Sequence, residues 1–287
     1  YDLNGNGVLD ANETSTTTGS DGSYKIATSS TGKLTVVTTD STTDAASGAV
    51  VGAGLTFTAP NDSSIISPAT TIVSELIDSG LTAAEAQQEA LEALGLDITT
   101  LGTTEAIDLL SFNPFVSTDD AAAAPYAAAA VQVVAIVNTV AEAAVAAGAD
   151  KGDAVAKALE SLTGQIVASA NASTTTAAID LTSTTVIETV IDATTSGDSA
   201  VQAAVNLVKS DISAAVSKVN TAVSGITTST GNADLFYLTQ SVLADSAASS
   251  VTAGSSGSVL SLLGTAADAA AINTIAASAI KVAGNAS

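Results

Sequence analysis

The spacing of hydrophobic and polar positions changes near residue 60 of this chain. Before that point, short runs rich in β-branched residues predict strands at 23–28, 33–39 and 50–58. After it, apolar residues recur every three or four positions, which is the spacing of one helix face. The pattern therefore predicts an α+β protein in which a small β module precedes a mostly α-helical bundle.

The predicted domains follow from the same change in spacing. Residues 1–60 form the β module, and residues 61–287 form the helical domain. Residues 172–178 are rich in Thr and Ala and have the composition of a loop, so we place a sub-boundary of the helical domain near 172–184.

Capping signals predict where the first two helices begin. Ser67 is a favourable N-cap, and Pro68 suits the first helical position. Thr82 and Glu85 form a capping box, and Gly95 ends the helix that follows them. Further helices are predicted over 125–147, 153–170, from 234 to a Gly/Ser-rich turn at 254–258, and around 272–282. Residues 185–193 fit either a helix or a strand.

A heptad-spaced apolar seam follows Gly197. Its members alternate steps of four and three positions: Val201, Val205, Val208, Ile212, Ala215, Val219, Ala222 and Ile226. The seam fits either a helix packed inside its own bundle or a contact with another subunit. Neighbouring apolar residues such as Leu207 and Val216 widen the stripe, which favours packing inside the bundle.

Residues 2–13 match the twelve-residue calcium loop, in which oxygen ligands alternate around a sharp turn and a bidentate Glu closes the site. Gly7 occupies the turn position, where a Cβ is unfavourable. The predicted ligands of Ca²⁺ are Asp2, Asn4, Asn6, the backbone carbonyl of Val8, Asp10 and Glu13. The alternative is a polar, Asx-rich turn that fits the pattern by coincidence.

The calcium loop followed by Asp21-Gly22-Ser23-Tyr24 and then a strand resembles the calcium-binding β-sandwich repeats of bacterial surface adhesins and related prealbumin-like modules. The resemblance covers about the first sixty residues and implies that the loop residues are the ligands and that Tyr24 is a core aromatic residue. Those repeats carry a strand before the loop, of which Tyr1 would be the last residue. Residues 65–115 are similar to a helical module that follows such sandwiches in large secreted bacterial proteins.

Charge and composition exclude several kinds of partner. Seven Lys and Arg stand against 29 Asp and Glu, a net charge of −22, so we expect neither nucleic-acid binding nor attraction to anionic membranes. Cysteine is absent, which excludes disulfides and thiolate sites. Abundant Thr, Ser and Ala with few lysines indicate an extracellular or cell-surface bacterial protein.

Residues 121–140 carry no charge and are long enough to cross a membrane. They are rich in Ala, contain Pro125, Gln132 and Asn138, and lack aromatic belts and basic flanks. We therefore expect a buried helix here and no membrane span.

The sequence does not favour an enzyme. Histidine and cysteine are both absent, so nucleophilic systems that use them cannot form. A pair of carboxylates acting as a hydrolase remains the alternative. However, acidic residues such as Asp150, Asp198 and Asp234 stand at predicted helix ends, where capping explains them.

The sequence thus predicts a calcium-stabilised structural protein of the bacterial exterior, as a filament or biofilm-matrix subunit or an adhesin segment. A three-strand module leaves unpaired edges, which a strand from a neighbouring subunit or from upstream sequence would complete. We accordingly expect self-association into a homo-oligomer or filament. The alternative is a soluble, calcium-dependent module that binds a glycan or a surface receptor.

Overall fold

The computed structural model describes the chain except for residues 6–8, 28–31, 45–47, 49, 52, 104, 117–120, 171–177 and 285–287. The side chains of residues 170 and 279–284 also lie outside the description. Of the predicted loop at 172–178, only residue 178 lies within the described part of the chain.

The fold is mostly helical, with 57% of the residues in helices and 5% in strands. The strands are β1 (Lys33–Val37) and β2 (Thr56–Pro60). The helices are α1 (Pro68–Asp78), α2 (Ala83–Ala93), α3 (Ile98–Leu101), α4 (Ala123–Ala146), α5 (Lys151–Ala170), α6 (Thr184–Thr195), α7 (Ser199–Asn206), α8 (Lys209–Ser224), α9 (Ala233–Tyr237), a π-helical turn (Leu238–Val242), α10 (Leu243–Ala253), α11 (Ser258–Gly264) and α12 (Ala269–Gly284).

The prediction of an α+β fold with a β-sandwich-like module is therefore wrong. The described residues form a single two-stranded antiparallel sheet, in which Thr35 lies opposite Thr58. Of the predicted strands, 33–39 is present but ends at Val37, 50–58 is displaced to Thr56–Pro60, and the described part of 23–28 is not a strand. Strand propensity describes a residue's fit to a pleated surface and does not supply a partner strand, which explains the error.

The outer edge of β2 is covered by helix α1 instead of a further strand. The Thr71 hydroxyl accepts a hydrogen bond from the Thr58 N–H at 3.0 Å, and the Thr70 hydroxyl donates to the Thr58 carbonyl at 2.9 Å. Side chains from the first turn of α1 thus satisfy the main-chain groups that a third strand would otherwise use. This contact joins the small sheet to the helices.

A small apolar cluster lies apart from the main core. Tyr1, Leu34 and Ala59 are buried together, and Ile26 and Ile66 pack against them from partly exposed positions. The main core is formed by the helices and also takes in Val51 and Leu55 from the loop before β2. The N-terminal residues therefore have a packing centre of their own.

The predicted starts of α1 and α2 are confirmed. Ser67 caps α1, and its box partner is Thr70. Thr82 caps α2: its hydroxyl accepts from the Glu85 N–H at 3.3 Å, and Glu85 accepts from the Thr82 N–H at 2.9 Å. The hydrogen bonds that the Thr82 hydroxyl and N–H donate to the Glu85 carboxylate stabilise its charged form and lower the pKa of Glu85.

We expect Thr82→Ala to destabilise the protein by about 1 kcal/mol, because the substitution removes the N-cap acceptor of α2. Urea unfolding followed by far-UV circular dichroism measures this loss. Thr82→Ser keeps the hydroxyl and serves as the control; equal losses in the two variants would contradict the capping role.

Helix α4 is the central helix of the bundle. It contacts α5, α6, α8 and α10, and residues such as Ile136 and Val137 along its length are fully buried. Its length and mean hydropathy of 1.7 would suffice to cross a membrane, and 78% of its most apolar window is buried inside the structure. In this fold, the uncharged residues 121–140 lie mostly in α4, which is a helix of the core.

The heptad-spaced seam lies inside the chain's own core, but on two helices. The helical path breaks between α7 and α8, at Leu207 and Val208. Seven of its eight members are buried, and the eighth, Ile226, is partly buried. The ambiguous residues 185–193 belong to α6, a helix.

Buried amides join α4 to the helices around it. Gln132 donates to the Asn220 carbonyl of α8 at 2.8 Å, and Asn220 donates to the Leu181 carbonyl at 2.8 Å. Asn138 donates to the carbonyl of Gln240 at 2.7 Å, within the π-helical turn. These bonds fix which helix faces meet, since breaking one leaves a buried polar group unsatisfied.

Candidate calcium site and the adjoining strand edge

The structure brings together four of the six predicted ligand residues. Asp2, Asn4, Asp10 and Glu13 lie in one loop and are linked by hydrogen bonds within it. The other two predicted ligands, Asn6 and Val8, lie outside the described residues.

Glu13 closes the loop with both carboxylate oxygens. Its Oε1 accepts a hydrogen bond from the Leu3 N–H at 2.7 Å, and its Oε2 accepts from the Asp10 N–H at 2.8 Å. A turn returns the chain, because the Glu13 N–H donates to the Asp10 carbonyl at 3.0 Å. The last predicted ligand is thereby held across the loop from the first.

Asp2 and Asn4 shape the other side of the loop. Asp2 Oδ1 accepts from the Gly5 N–H at 2.6 Å, and the Asn4 amide nitrogen donates to Asp10 Oδ2 at 2.8 Å. Gly5 has a φ of 74°, a left-handed conformation that glycine adopts without strain. Asp2 is buried, whereas Asn4 is exposed.

The chemistry of this loop fits Ca²⁺. Three carboxylates and an amide are hard oxygen donors, and a carboxylate oxygen that accepts one N–H keeps a lone pair for a metal. Asn4 directs its nitrogen to Asp10, so ligation through its oxygen requires a half-turn of the amide. Among the described residues, no three His, Cys, Asp or Glu side chains are grouped closely enough to form a metal cluster as they stand.

The loop is joined to the start of β1. The Asp2 N–H donates to the Lys33 carbonyl at 2.9 Å, and the Lys33 N–H donates to the Asp2 carbonyl at 2.8 Å. Gly32 beside this bridge has a φ of +111°, and an added Cβ would lie 2.6 Å from the Asp2 carbonyl oxygen. Glycine is therefore required at position 32, and no pattern in the sequence indicates this requirement.

Lys33 also connects the sheet to the C-terminal end of α1. Its ammonium group forms an ion pair with Asp78, the last residue of that helix. A negative charge at a helix C-terminus is unfavourable, and the lysine compensates it. Lys33, the first residue of β1, thus contacts both the calcium loop and α1.

We expect Lys33→Gln to destabilise the protein by about 0.2 to 1 kcal/mol, the range for a solvent-exposed ion pair. Chemical unfolding at low ionic strength measures the difference. Lys25→Gln removes an equal charge from an exposed lysine nearby; if it costs as much, the Asp78 contact is not the cause.

A groove of about 250 Å³ lies beside the loop. Its lining includes Asp2, Leu9 and Glu13 of the loop and the four successive residues Leu34–Val37 of β1. Because successive strand residues face opposite sides of a sheet, this continuous lining means that the groove follows the edge of the strand.

Two hydroxyl groups in the groove lining are buried and have no hydrogen-bond partner among the described residues. They are Tyr24 Oη and Thr35 Oγ1. Burial raises the pKa of Tyr24 above the ordinary tyrosine value. The resemblance to adhesin repeats implies that Tyr24 is a core aromatic residue, and the sequence indicates no role for Thr35. An unpaired buried hydroxyl is visible only in three dimensions.

Of the acidic residues that the sequence places at helix ends, Asp150 and Asp198 act as caps, whereas Asp234 lies inside the first turn of α9, whose N-cap is Asn232. Asp198 accepts from the Ala200 N–H at 2.9 Å, and Asp150 accepts from the Asp153 N–H at 3.1 Å. Asp97 caps α3. The hydrogen bond that the Thr100 hydroxyl donates to Asp97 is the main cause of the lowered pKa of Asp97. Capping accounts for these carboxylates without a catalytic role.

Comparisons with protein-family models, with curated proteins and with solved structures found no match for this chain.

Proposed function

We propose that this chain is a calcium-stabilised structural protein of the bacterial exterior, as a subunit of a filament or matrix or as a segment of a surface adhesin. Calcium binds residues 2–13 and holds the loop against the start of β1. The observation that carries the proposal is the closed loop, in which Glu13 reaches the N–H groups of both Leu3 and Asp10.

The position of the loop favours a structural role for calcium over a signalling role. In sensor proteins a calcium loop joins two helices whose angle changes on binding. Here the described residues that follow the loop, 14–27, form no helix, and Asp2 pairs with a strand. Calcium in this loop stiffens the sheet and leaves the helices in place.

The charge of the chain also favours an exterior location. A net charge of −22 requires counter-ions, and the millimolar calcium outside cells supplies them. Extracellular calcium modules bind with a Kd of about 10⁻⁴ to 10⁻³ M, so the loop is filled outside the cell and empty in the cytosol.

The groove beside the loop favours a second candidate function, a calcium-dependent module for a glycan or a surface receptor. Its lining combines Tyr24 with the hydroxyl-bearing Ser15, Thr16 and Thr18 next to the calcium loop. A glycan array probed with and without calcium distinguishes this candidate from the structural role.

Calcium titration calorimetry and electron microscopy test the proposal together. We expect calcium binding in the submillimolar to millimolar range, and assemblies that form with calcium and disperse in chelator. Absence of binding at millimolar calcium removes the calcium role, and isolated molecules under both conditions remove the assembly role.

A further inference from the structure

Residues 10–14, at the end of the calcium loop, also form an acceptor motif for N-linked glycosylation. That motif is an asparagine, any residue except proline, and then serine or threonine, and Asn12, Glu13 and Thr14 match it. Bacterial transferases recognise a stricter form, in which an acidic residue stands two positions before the asparagine. Asp10 supplies that residue, so the stricter form is complete.

The other acceptor motifs of the sequence lack the acidic residue. The shorter motif recurs at Asn61, Asn171 and Asn285. Two positions before these asparagines the sequence has Ala59, Ser169 and Ala283. Asn12 is therefore the one asparagine of this sequence that meets the bacterial rule.

The structure places Asn12 where an enzyme can reach it. The Glu13 N–H donates to the Asp10 carbonyl at 3.0 Å, so Asn12 is the third residue of a four-residue turn. Asn12 and Thr14 are both exposed, and neither side chain forms a hydrogen bond with any other described residue. The amide that accepts the sugar and the hydroxyl that the transferase recognises are both accessible.

The motif at Asn61 differs in structure as well as in sequence. Ser63 there takes the place of Thr14, and it is buried. Its hydroxyl donates to the carbonyls of Ile65 at 2.9 Å and Leu110 at 3.0 Å. The folded chain withholds this hydroxyl from a transferase, so Asn61 serves as an internal comparison for Asn12.

The acceptor motif shares residues with the calcium loop but not its asparagine. Asn12 occupies position eleven, which supplies no ligand, so a glycan on it leaves the ligand set intact. Asp10 is needed by both calcium and the transferase, and its Oδ2 already accepts from the Asn4 amide within the loop. A transferase must draw Asp10 out of the closed loop, so bound calcium opposes the transfer.

We propose that Asn12 accepts an N-linked glycan from a lipid diphosphate-linked oligosaccharide before calcium closes the loop. The Asn12 amide nitrogen forms a bond to C1 of the first sugar, and the bond from C1 to the diphosphate oxygen breaks. The lipid diphosphate leaves with the electron pair, and the amide proton passes to a base of the transferase. The inference rests on the proposed exterior location, because bacteria transfer such oligosaccharides outside the cytoplasmic membrane.

Peptide mass spectrometry of the protein exported by its own cells tests the proposal. Trypsin cleaves after Lys25 and Lys33, so Asn12 and Asn61 fall in different peptides. We expect the peptide that ends at Lys25 to carry a glycan on Asn12, and the peptide with Asn61 to carry none. An exported protein without a glycan on Asn12 overturns the inference, whereas calcium binding measured by calorimetry then still supports the structural role.

Transfer to the purified chain tests the motif and the order of the two events. The chain is incubated with a bacterial oligosaccharyltransferase and a lipid diphosphate-linked oligosaccharide. We expect Thr14→Ser to be modified like the wild type and Thr14→Val, which keeps the shape but lacks the hydroxyl, to be unmodified. Equal modification of the two variants overturns the assignment of the motif. Circular dichroism checks that both variants fold.

Calcium is then compared with a calcium-selective chelator in the same assay. With a Kd of about 10⁻⁴ to 10⁻³ M, about 10 mM calcium leaves only a small fraction of loops open, so we expect transfer to slow by about 10- to 100-fold. A short peptide of residues 10–14 lacks the rest of the loop and controls for calcium acting on the enzyme. If calorimetry shows binding but calcium does not slow transfer, the proposed order is wrong. If calorimetry shows no binding, the calcium role fails whether or not Asn12 is modified.

Discussion

In a Glu13→Gln variant, calcium is expected to lose most of its stabilising effect. With a Kd of about 10⁻⁴ to 10⁻³ M, about 10 mM calcium stabilises the wild type by ~1.4 to 2.7 kcal/mol. Glutamine offers one neutral oxygen in place of two charged ones, so it cannot chelate the ion. Urea unfolding with calcium and with chelator measures the difference for each protein.

Glu13→Gln is also expected to weaken the protein without calcium. Glu13 accepts hydrogen bonds from the N–H groups of Leu3 and Asp10. In the variant one of these two groups loses its acceptor, at a cost of about 0.5 to 1.5 kcal/mol. Glu160→Gln, an exposed change on α5, alters the net charge equally and is the control. A calcium effect that survives intact in Glu13→Gln would show that calcium acts elsewhere on the chain.

Replacing Ile136 by Ala is expected to destabilise the protein by about 2 to 5 kcal/mol. Ile136 is fully buried at the centre of α4, where removing its side-chain atoms leaves a cavity among the surrounding helices. Alanine is a strong helix former, so the loss reports packing and not helix propensity. Denaturant unfolding in aqueous buffer measures it.

Val134→Ala on the same helix provides the comparison. Val134 is partly buried, so we expect a loss of about 1 kcal/mol or less. Similar losses at positions 134 and 136 would mean that α4 is not packed as described. The pair therefore tests whether the uncharged helix is the centre of a folded core.

The helices could be predicted from the sequence because their signals are local. The Ser67 cap and the Thr82 to Glu85 box act within one turn, and both appear in the structure where the sequence places them. The break at Val208 could not be predicted, because the heptad spacing runs through it without interruption. Packing against several helices at once, and not the spacing, decides where such a helix ends.

The β module was predicted poorly because strands depend on partners distant in sequence. The segment near Tyr24 has a strand-like composition, but it only shares a groove lining with β1, and its described residues 23–27 form no strand. The outer edge of β2 is covered by α1, which no local pattern around residues 56–60 indicates. A strand needs a second strand, and the sequence does not specify which segment provides it.

The sequence by itself determined the loop chemistry, the helix caps, the acidic charge and the uncharged helix α4, because each depends on residue type and short spacing. Only the tertiary structure decided that the loop is pinned to Lys33, that Gly32 must be glycine, and that one edge of the sheet is covered while the other faces a groove. These features arise where segments distant along the chain meet. Their physical basis is hydrogen bonding and close packing between such segments, which composition and periodicity do not encode.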